Sequence, residues 1–267
     1  MHKPSSVRDY VIAILIASSL MTFMGLYLFV RRGYFFDAPA TADTLYVPNK
    51  VLANAAIIML AFTFLIGPIV RYFDRFDKWL GYRKEIGIVG GFLAFFHVII
   101  SSYFLPLKFP PAKIESWEFT AGSIGMFLLI CLFIISFKKA VDLLGGNLWW
   151  FLQRWGLRLV MLFVLIHVSL MKWSGWIKWL KQGGSVAPTA ELANPQMPGL
   201  GILAMLFVVW VVILRLYESA FIFKDCGLSV KEISPDAALK VRGRRFFIGS
   251  FLVLITLYFL VITRWMW

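Results

Sequence analysis

The stretch WLGYRKEIGIVGGFLAFFHVIISS, residues 79–102, decides how the chain is read. A basic edge, Arg83-Lys84, leads into an apolar run, and His97 sits well inside that run. An apolar run of about 18 residues or more can cross the ~30 Å hydrocarbon layer as a helix. Working outward, seven such segments are found, at 10–30, 51–71, 86–105, 121–137, 150–171, 199–217 and 246–264. The fourth is the shortest. The 267 residues are 60% apolar and 17% aromatic, against about half apolar in soluble domains. The expected fold is therefore all-α: a polytopic transmembrane bundle of about seven helices, with 1–267 as one transmembrane domain. Lys3 and Arg8 before the first segment resemble the start of a secretory leader. However, its apolar stretch of about twenty residues exceeds a ~7–15-residue leader core, and no small-residue cleavage site follows. It is read as a membrane anchor.

The net charge of +13 lies in short loops between apolar runs, a pattern that reports membrane topology rather than nucleic-acid binding. The N-terminus, 71–84, 138–158 and 215–245 hold 18 Lys and Arg, and the loops on the other side hold 9. The positive-inside rule then puts the N-terminus inside and the C-terminus outside. The longest polar stretches run to about thirty residues, too short for an independent soluble core, so no flavin or nucleotide domain is expected within the chain. Cys131 and Cys226 provide no disulfide framework. Trp79, Trp117, Trp149, Trp150, Trp173, Trp176, Trp179, Trp265 and Trp267 fall near segment ends, as an interfacial belt requires. Lys172–Trp179 reads as a helix lying in the outer interface. The inner loop 218–245 ends in Lys240, Arg242, Arg244 and Arg245, read as a topology signal. The outer loop 31–50 carries Arg31 and Arg32.

Of three histidines, His2 is terminal, and His97 and His167 are each embedded in an apolar segment. Ionisable groups inside a bilayer are costly and usually functional. His97 lies twelve residues after Glu85, about 18 Å into its helix, and His167 nine residues after Arg158, about 14 Å. Both helices run the same way, so the imidazoles share a level toward the outer half. Gly90, Ala94, His97 and Ser101 form one stripe at helical spacing. Small side chains there either leave a slot for a flat macrocycle or permit close helix packing. Gly156, Val160, Phe163 and His167 share a second face. No Asp, Glu or Cys lies beside either histidine on its helix, which leaves a zinc or di-iron carboxylate site short of ligands. Two neutral imidazoles complete the coordination of haem iron without further protein groups. Met161 and Met171 read as packing. Without a Cys-x-x-Cys-His attachment motif, a b-type haem is the economical hypothesis. The competing class is a transporter or proton relay using the two histidines without haem; few other ionisable groups lie within the segments, and no inverted repeat is visible. A structural subunit with interhelical histidine hydrogen bonds is the third.

Arg83-Lys84-Glu85-Ile86-Gly87, followed ten residues later by His97, resembles the Arg-Arg/Lys-x-Leu-Gly…His helix of ferric-reductase-like transmembrane proteins. This superfamily includes the STEAP metalloreductases, the NADPH oxidases and MsrQ, the bacterial haem subunit of methionine-sulfoxide repair. His97-Val98…Ser102…Leu105-Pro106-Leu107-Lys108 is similar to STEAP, and so is Gly156…His167-Val168…Lys172-Trp173, with a Gly-to-His spacing one residue longer. The resemblance covers about 79–180. It implies a six-helix core plus one helix, a haem-binding core within about 51–217, and His97 and His167 as axial ligands. Two-haem members carry another histidine about thirteen residues upstream on each helix; Arg83 or Lys84, and Gln153 or Arg154, stand at those places here. One haem b is therefore implied. So is a membrane haem oxidoreductase, or the haem subunit of one, in a cell membrane of bacterial inner-membrane type. The donor would be a flavoprotein carrying FAD or FMN, or membrane quinol. The acceptor would be a metal ion or partner reductase at the outer face. Arg31, Arg32 and Lys172 are candidate contacts to haem propionates or acceptor. Arg83 and Lys84 serve either topology or donor contact. Lipid is the remaining partner.

Overall fold

Hydrocarbon offers no hydrogen bonds to a backbone, so an apolar run of spanning length satisfies its own N–H and C=O groups as a helix. A computed structural model describes residues 6–36, 45–104, 116–183, 197–222 and 236–264, leaving aside the side chains of 33–36. The elements are α1 (Val7–Phe36), α2 (Tyr46–Phe73), α3 (Asp77–Ile99), α4 (Trp117–Ile134), α5 (Lys138–Leu144), α6 (Gly146–Gln182), α7 (Leu200–Tyr217) and α8 (Ala237–Thr263). π-helical turns prolong α3 through Ile100–Phe104 and α7 through Glu218–Ile222. Among the described residues seven helices, all but α5, are long and apolar enough to cross a membrane. The fold is the all-α polytopic bundle that the apolar runs require.

Helix α2 is the axis of the bundle. Ala55, Ala56, Met59 and Ile66 pack with Ala13 and Ala17 of α1 and with Ile86 and Leu93 of α3. Leu60, Ala61, Phe64 and Leu65 meet Val208, Val211 and Leu214 of α7, together with Leu132 of α4 and Val160 and Met161 of α6. Glycines set the closest approaches, as is usual where apolar association gains nothing from expelling water. A Cβ at Gly90 would lie 3.0 Å from Met59 Cβ, and one at Gly156 would lie 2.5 Å from Leu132 Cδ2. Helix α8 docks on α7, with Trp210 Nε1 donating to Ser250 Oγ at 3.0 Å and Tyr258 Oη donating to Leu203 O at 2.7 Å.

Cross-helix contacts identify the two ends. At one, Glu218 bridges Arg71 and Arg215, Lys240 pairs with Asp74 at 2.6 Å, and Arg244 donates twice to Tyr72 O. This is the basic end, and it also carries Arg83, Lys84, Arg154 and Arg158. At the far end Tyr27 Oη donates to Pro198 O, Arg31 Nε to Met197 O and Arg264 Nε to Leu180 O. The grouping of loops read from the charge count is thus present as contacts.

Three expectations change. Helix α3 starts at Asp77, not 86: an acidic first turn suits a helix N-terminus, and Trp79 packs edge-on between Phe62 and Tyr82. Lys172–Trp179 is not a separate interfacial helix but the continuation of α6, a 37-residue helix of about 55 Å. Gly175 alone costs only about 1 kcal/mol in a helix, and the helix stops at Gly183, whose φ of 72° suits a residue without Cβ. Trp179 is 2% exposed and Trp176 packs against the core, so both turn toward the bundle rather than outward.

Candidate functional site

Each membrane histidine stands on a helix that packs along a partner: α3 along α2, and α6 along α4. His97 Nδ1 lies 2.8 Å from Asn49 Oδ1. Asn49 is 6% exposed, and its Nδ2 donates to Ser101 Oγ at 2.9 Å. Its Oδ1 is therefore the acceptor facing the ring, and the proton of the imidazole is on Nδ1. Ser101 Oγ stands 3.5 Å from the same nitrogen, a marginal contact beside the amide. His167 Nδ1 lies 2.6 Å from the backbone oxygen of Glu118. A carbonyl only accepts, so this ring also carries Nδ1–H. Among the described residues no hydrogen bond reaches either Nε2. Two imidazoles tied through Nδ1–H to carbonyl oxygens, with Nε2 lone pairs uncommitted, form the arrangement that metal-ligating histidines adopt. The rings are partly exposed.

The partner helices make these contacts possible. Ser116 caps α4 by accepting from Phe119 N at 3.3 Å, which fixes the first turn and with it the Glu118 carbonyl. Gly122 is one turn further, and a Cβ there would lie 2.9 Å from His167 Nδ1. The imidazole lies on bare helix backbone. A Cβ at Gly156 would fall against Leu132, so the Gly156–Val160–Phe163 face of α6 is the surface that packs on α4.

The α3 stripe resolves into separate roles. Gly90 is filled by α2, where Met59, Leu60 and Ala56 lie within 4 Å of a Cβ position. Ala94 packs with the α1–α2–α3 core. Of the two readings for these small residues, helix packing accounts for both. Ser101 is brought to Asn49 and His97. Met161 is a core residue and Met171 is exposed, and neither is hydrogen-bonded to the pair.

Cations gather at the same end. Lys50 Nζ sits 3.9 Å above the Tyr46 ring, and Arg32 Cζ lies 5.6 Å from that ring. Lys50 interacts electrostatically with Lys172, Arg31 and Arg32. Asn49, Lys50, Glu118 and Gly122 escaped the sequence reading. The first two fell in what reads as loop 31–50, whereas α2 begins at Tyr46. A backbone carbonyl has no sequence signature, although Gly122 and Gly125, three apart in an apolar run, signal a close helix approach.

Among the described residues no group of three or more His, Cys, Asp or Glu is placed to hold a metal ion. Two imidazoles by themselves would suit only a metal whose other ligands come from elsewhere, such as a macrocycle. Residues 52–164 match the family model described as ferric reductase like transmembrane component. Over these residues the chain is similar to the ferric-reductase-like transmembrane superfamily, and the match supports that reading. The match spans most of α2 through the first half of α6; His97 lies inside it and His167 just past its end. A search of curated proteins finds no match to the chain. The match points to electron transfer across a membrane as the general role.

Proposed function

We propose that the chain is a single-haem transmembrane electron-transfer protein in which His97 and His167 are the axial ligands of one b-type haem. The observation that carries this reading is the matched state of the two imidazoles: each Nδ1–H is given to a carbonyl oxygen, and each Nε2 is left to ligate. The bound haem supplies a one-electron iron couple. The chain's residues orient the ligands through Asn49 and Glu118 O, exclude water with the helix bundle, and present Arg31, Arg32, Lys50 and Lys172 to carboxylates, whether haem propionates or an anionic acceptor. Arg83 or Lys84, and Gln153 or Arg154, stand where two-haem relatives of the superfamily carry histidine, which favours one haem. The basic end faces the cytoplasm of a bacterial inner membrane by the positive-inside rule. The donor, a flavoprotein or quinol, therefore acts there, and the acceptor, a metal ion or a partner reductase, at the far end.

An absorption spectrum of the purified protein tests this. A low-spin b-type Soret band, lost when His97 or His167 becomes Ala, is the expected result. A protein without a Soret band, or a band that survives both replacements, sinks the assignment.

A further inference from the structure

A cavity of about 560 Å³ lies at the basic end between α3, α4 and α6, with α2 behind it. It has no part in holding the histidine pair. Its volume falls in the ~300–1,000 Å³ range of small-molecule sites. Three features define what fits. The first is its opening: Leu80, Phe92, Phe95, Ile130 and Phe133 line it and are exposed. On a membrane-spanning bundle such side chains meet acyl chains, so the cavity opens sideways toward lipid. The second is a flat wall. Gly87 and Gly91 of α3 both line it; a Cβ at Gly91 would meet nothing nearer than Leu129 at 3.9 Å, and one at Gly87 only Thr63 at 3.6 Å. Gly90, by contrast, is filled by α2. The third is its polar end, where Arg83, Lys84, Arg154 and Arg215 join Gln153. Gln153 Nε2 donates to Leu132 O and to Ser136 Oγ, so Gln153 keeps an acceptor oxygen.

We infer that this cavity binds the aromatic headgroup of a membrane quinol and is the electron-entry site of the chain. This rests on the electron-transfer reading above. A ligand dissolved in the bilayer enters through a lipid-facing opening, which a phosphorylated nucleotide arriving from water does not need. A planar ring matches the glycine wall. A phenolic O–H needs an acceptor, and neighbouring cations favour the deprotonated oxygen formed on oxidation. Oxidation of the quinol breaks two O–H bonds and releases two protons at the basic end. The two electrons would leave singly to the haem, which would pass the first to the outer-face acceptor before taking the second, and the ring becomes the quinone.

The test is titration of the purified protein, in nanodiscs of zwitterionic lipid, with decyl-ubiquinone. Binding is read by calorimetry and by quenching of tryptophan fluorescence, since Trp149 and Trp150 line the cavity. Gly91→Leu and, separately, Gly87→Leu put side chains into open space and are expected to weaken binding at least about tenfold, ~1.4 kcal/mol, with the Soret band unchanged. Gly91→Ala should weaken it less. Wild-type affinity in both leucine variants overturns the assignment, and so does saturable binding of FMN or an anionic phospholipid where the quinone does not bind. A protein that lacks a Soret band yet loses quinone binding in these variants retains the cavity assignment and fails the haem reading. Intact haem with unaltered quinone binding does the reverse.

Discussion

Gly122→Ala is the sharpest perturbation of the histidine pair that leaves both proposed ligands in place. A Cβ at this position would lie 2.9 Å from His167 Nδ1, 3.2 Å from Cε1 and 3.4 Å from Cγ, so it presses on a whole edge of the ring. The ring has little freedom to retreat, because Nδ1 is held to Glu118 O at 2.6 Å. Relief to ordinary contact lengthens or breaks that bond and carries Nε2 away with it. Overpacking by a methyl costs about 1–3 kcal/mol, and the lost hydrogen bond of the part-buried ring adds about 0.5–1.5 kcal/mol. Loss of an outer-shell partner of a metal-ligating histidine typically lowers metal affinity ~10–100-fold. Haem affinity should therefore fall by about 10–100-fold, measured by titrating haemin into the apoprotein and following the Soret band, with circular dichroism to confirm helix content. Gly125→Ala is the control: its Cβ would meet Phe163 Cβ at an ordinary 3.5 Å and should leave affinity within about twofold, under ~0.5 kcal/mol. Wild-type affinity and an unchanged low-spin spectrum in Gly122→Ala would refute the reasoning, as would equal damage from Gly125→Ala.

Two further outcomes follow from the same geometry. Asn49→Asp replaces a neutral acceptor by a stronger one on His97 Nδ1–H, so the ferric state gains and the midpoint potential falls, by about 59 mV for each tenfold change in ferric-over-ferrous preference; a redox titration that shows no fall removes Asn49 from the tuning role. Glu218 is 1% exposed and bridges Arg71 and Arg215 between α2 and α7. Glu218→Gln removes the carboxylate from a buried ionic cluster, with an expected loss of about 3–5 kcal/mol, read as a lowered thermal midpoint in detergent; an unchanged midpoint contradicts it.

The spans were legible, and the two membrane histidines stood out, because each depends on local pattern. Length and apolarity alone force a membrane helix, and an imidazole in such a run is conspicuous. The residues that complete the site were not, because they act through tertiary contacts. The stripe of Gly90, Ala94 and Ser101 is a true helical face, but spacing cannot say whether the facing space holds a ligand or another helix; α2 fills it at Gly90. The open glycines are Gly87 and Gly91, on a different face of the same turns. Likewise the apparent interfacial segment after Met171 has tryptophans and lysines at amphipathic spacing, yet Trp179 is buried, and the pattern records packing of α6 rather than a membrane surface.

The two imidazoles are held by unlike acceptors, and this difference has consequences for how the site responds to change. On α2 the acceptor is a side chain, so substitution at Asn49 alters its strength and the basicity of His97 directly. On α4 it is the backbone oxygen of Glu118, which no substitution removes. Within the helix ladder that oxygen also accepts from the N–H of residue 122, using the second of its two lone pairs. A side chain at 122 therefore stands beside the one carbonyl that His167 must reach, and access to that carbonyl is governed by the volume at Gly122. The α3 side is thus open to electronic adjustment and the α6 side to steric adjustment. Substitutions at Asn49 should move potential more than haem affinity, and those at Gly122 affinity more than potential. Measuring both quantities on both variants separates a ligand pair built in this way from two histidines that merely bond neighbouring helices, for which neither quantity exists.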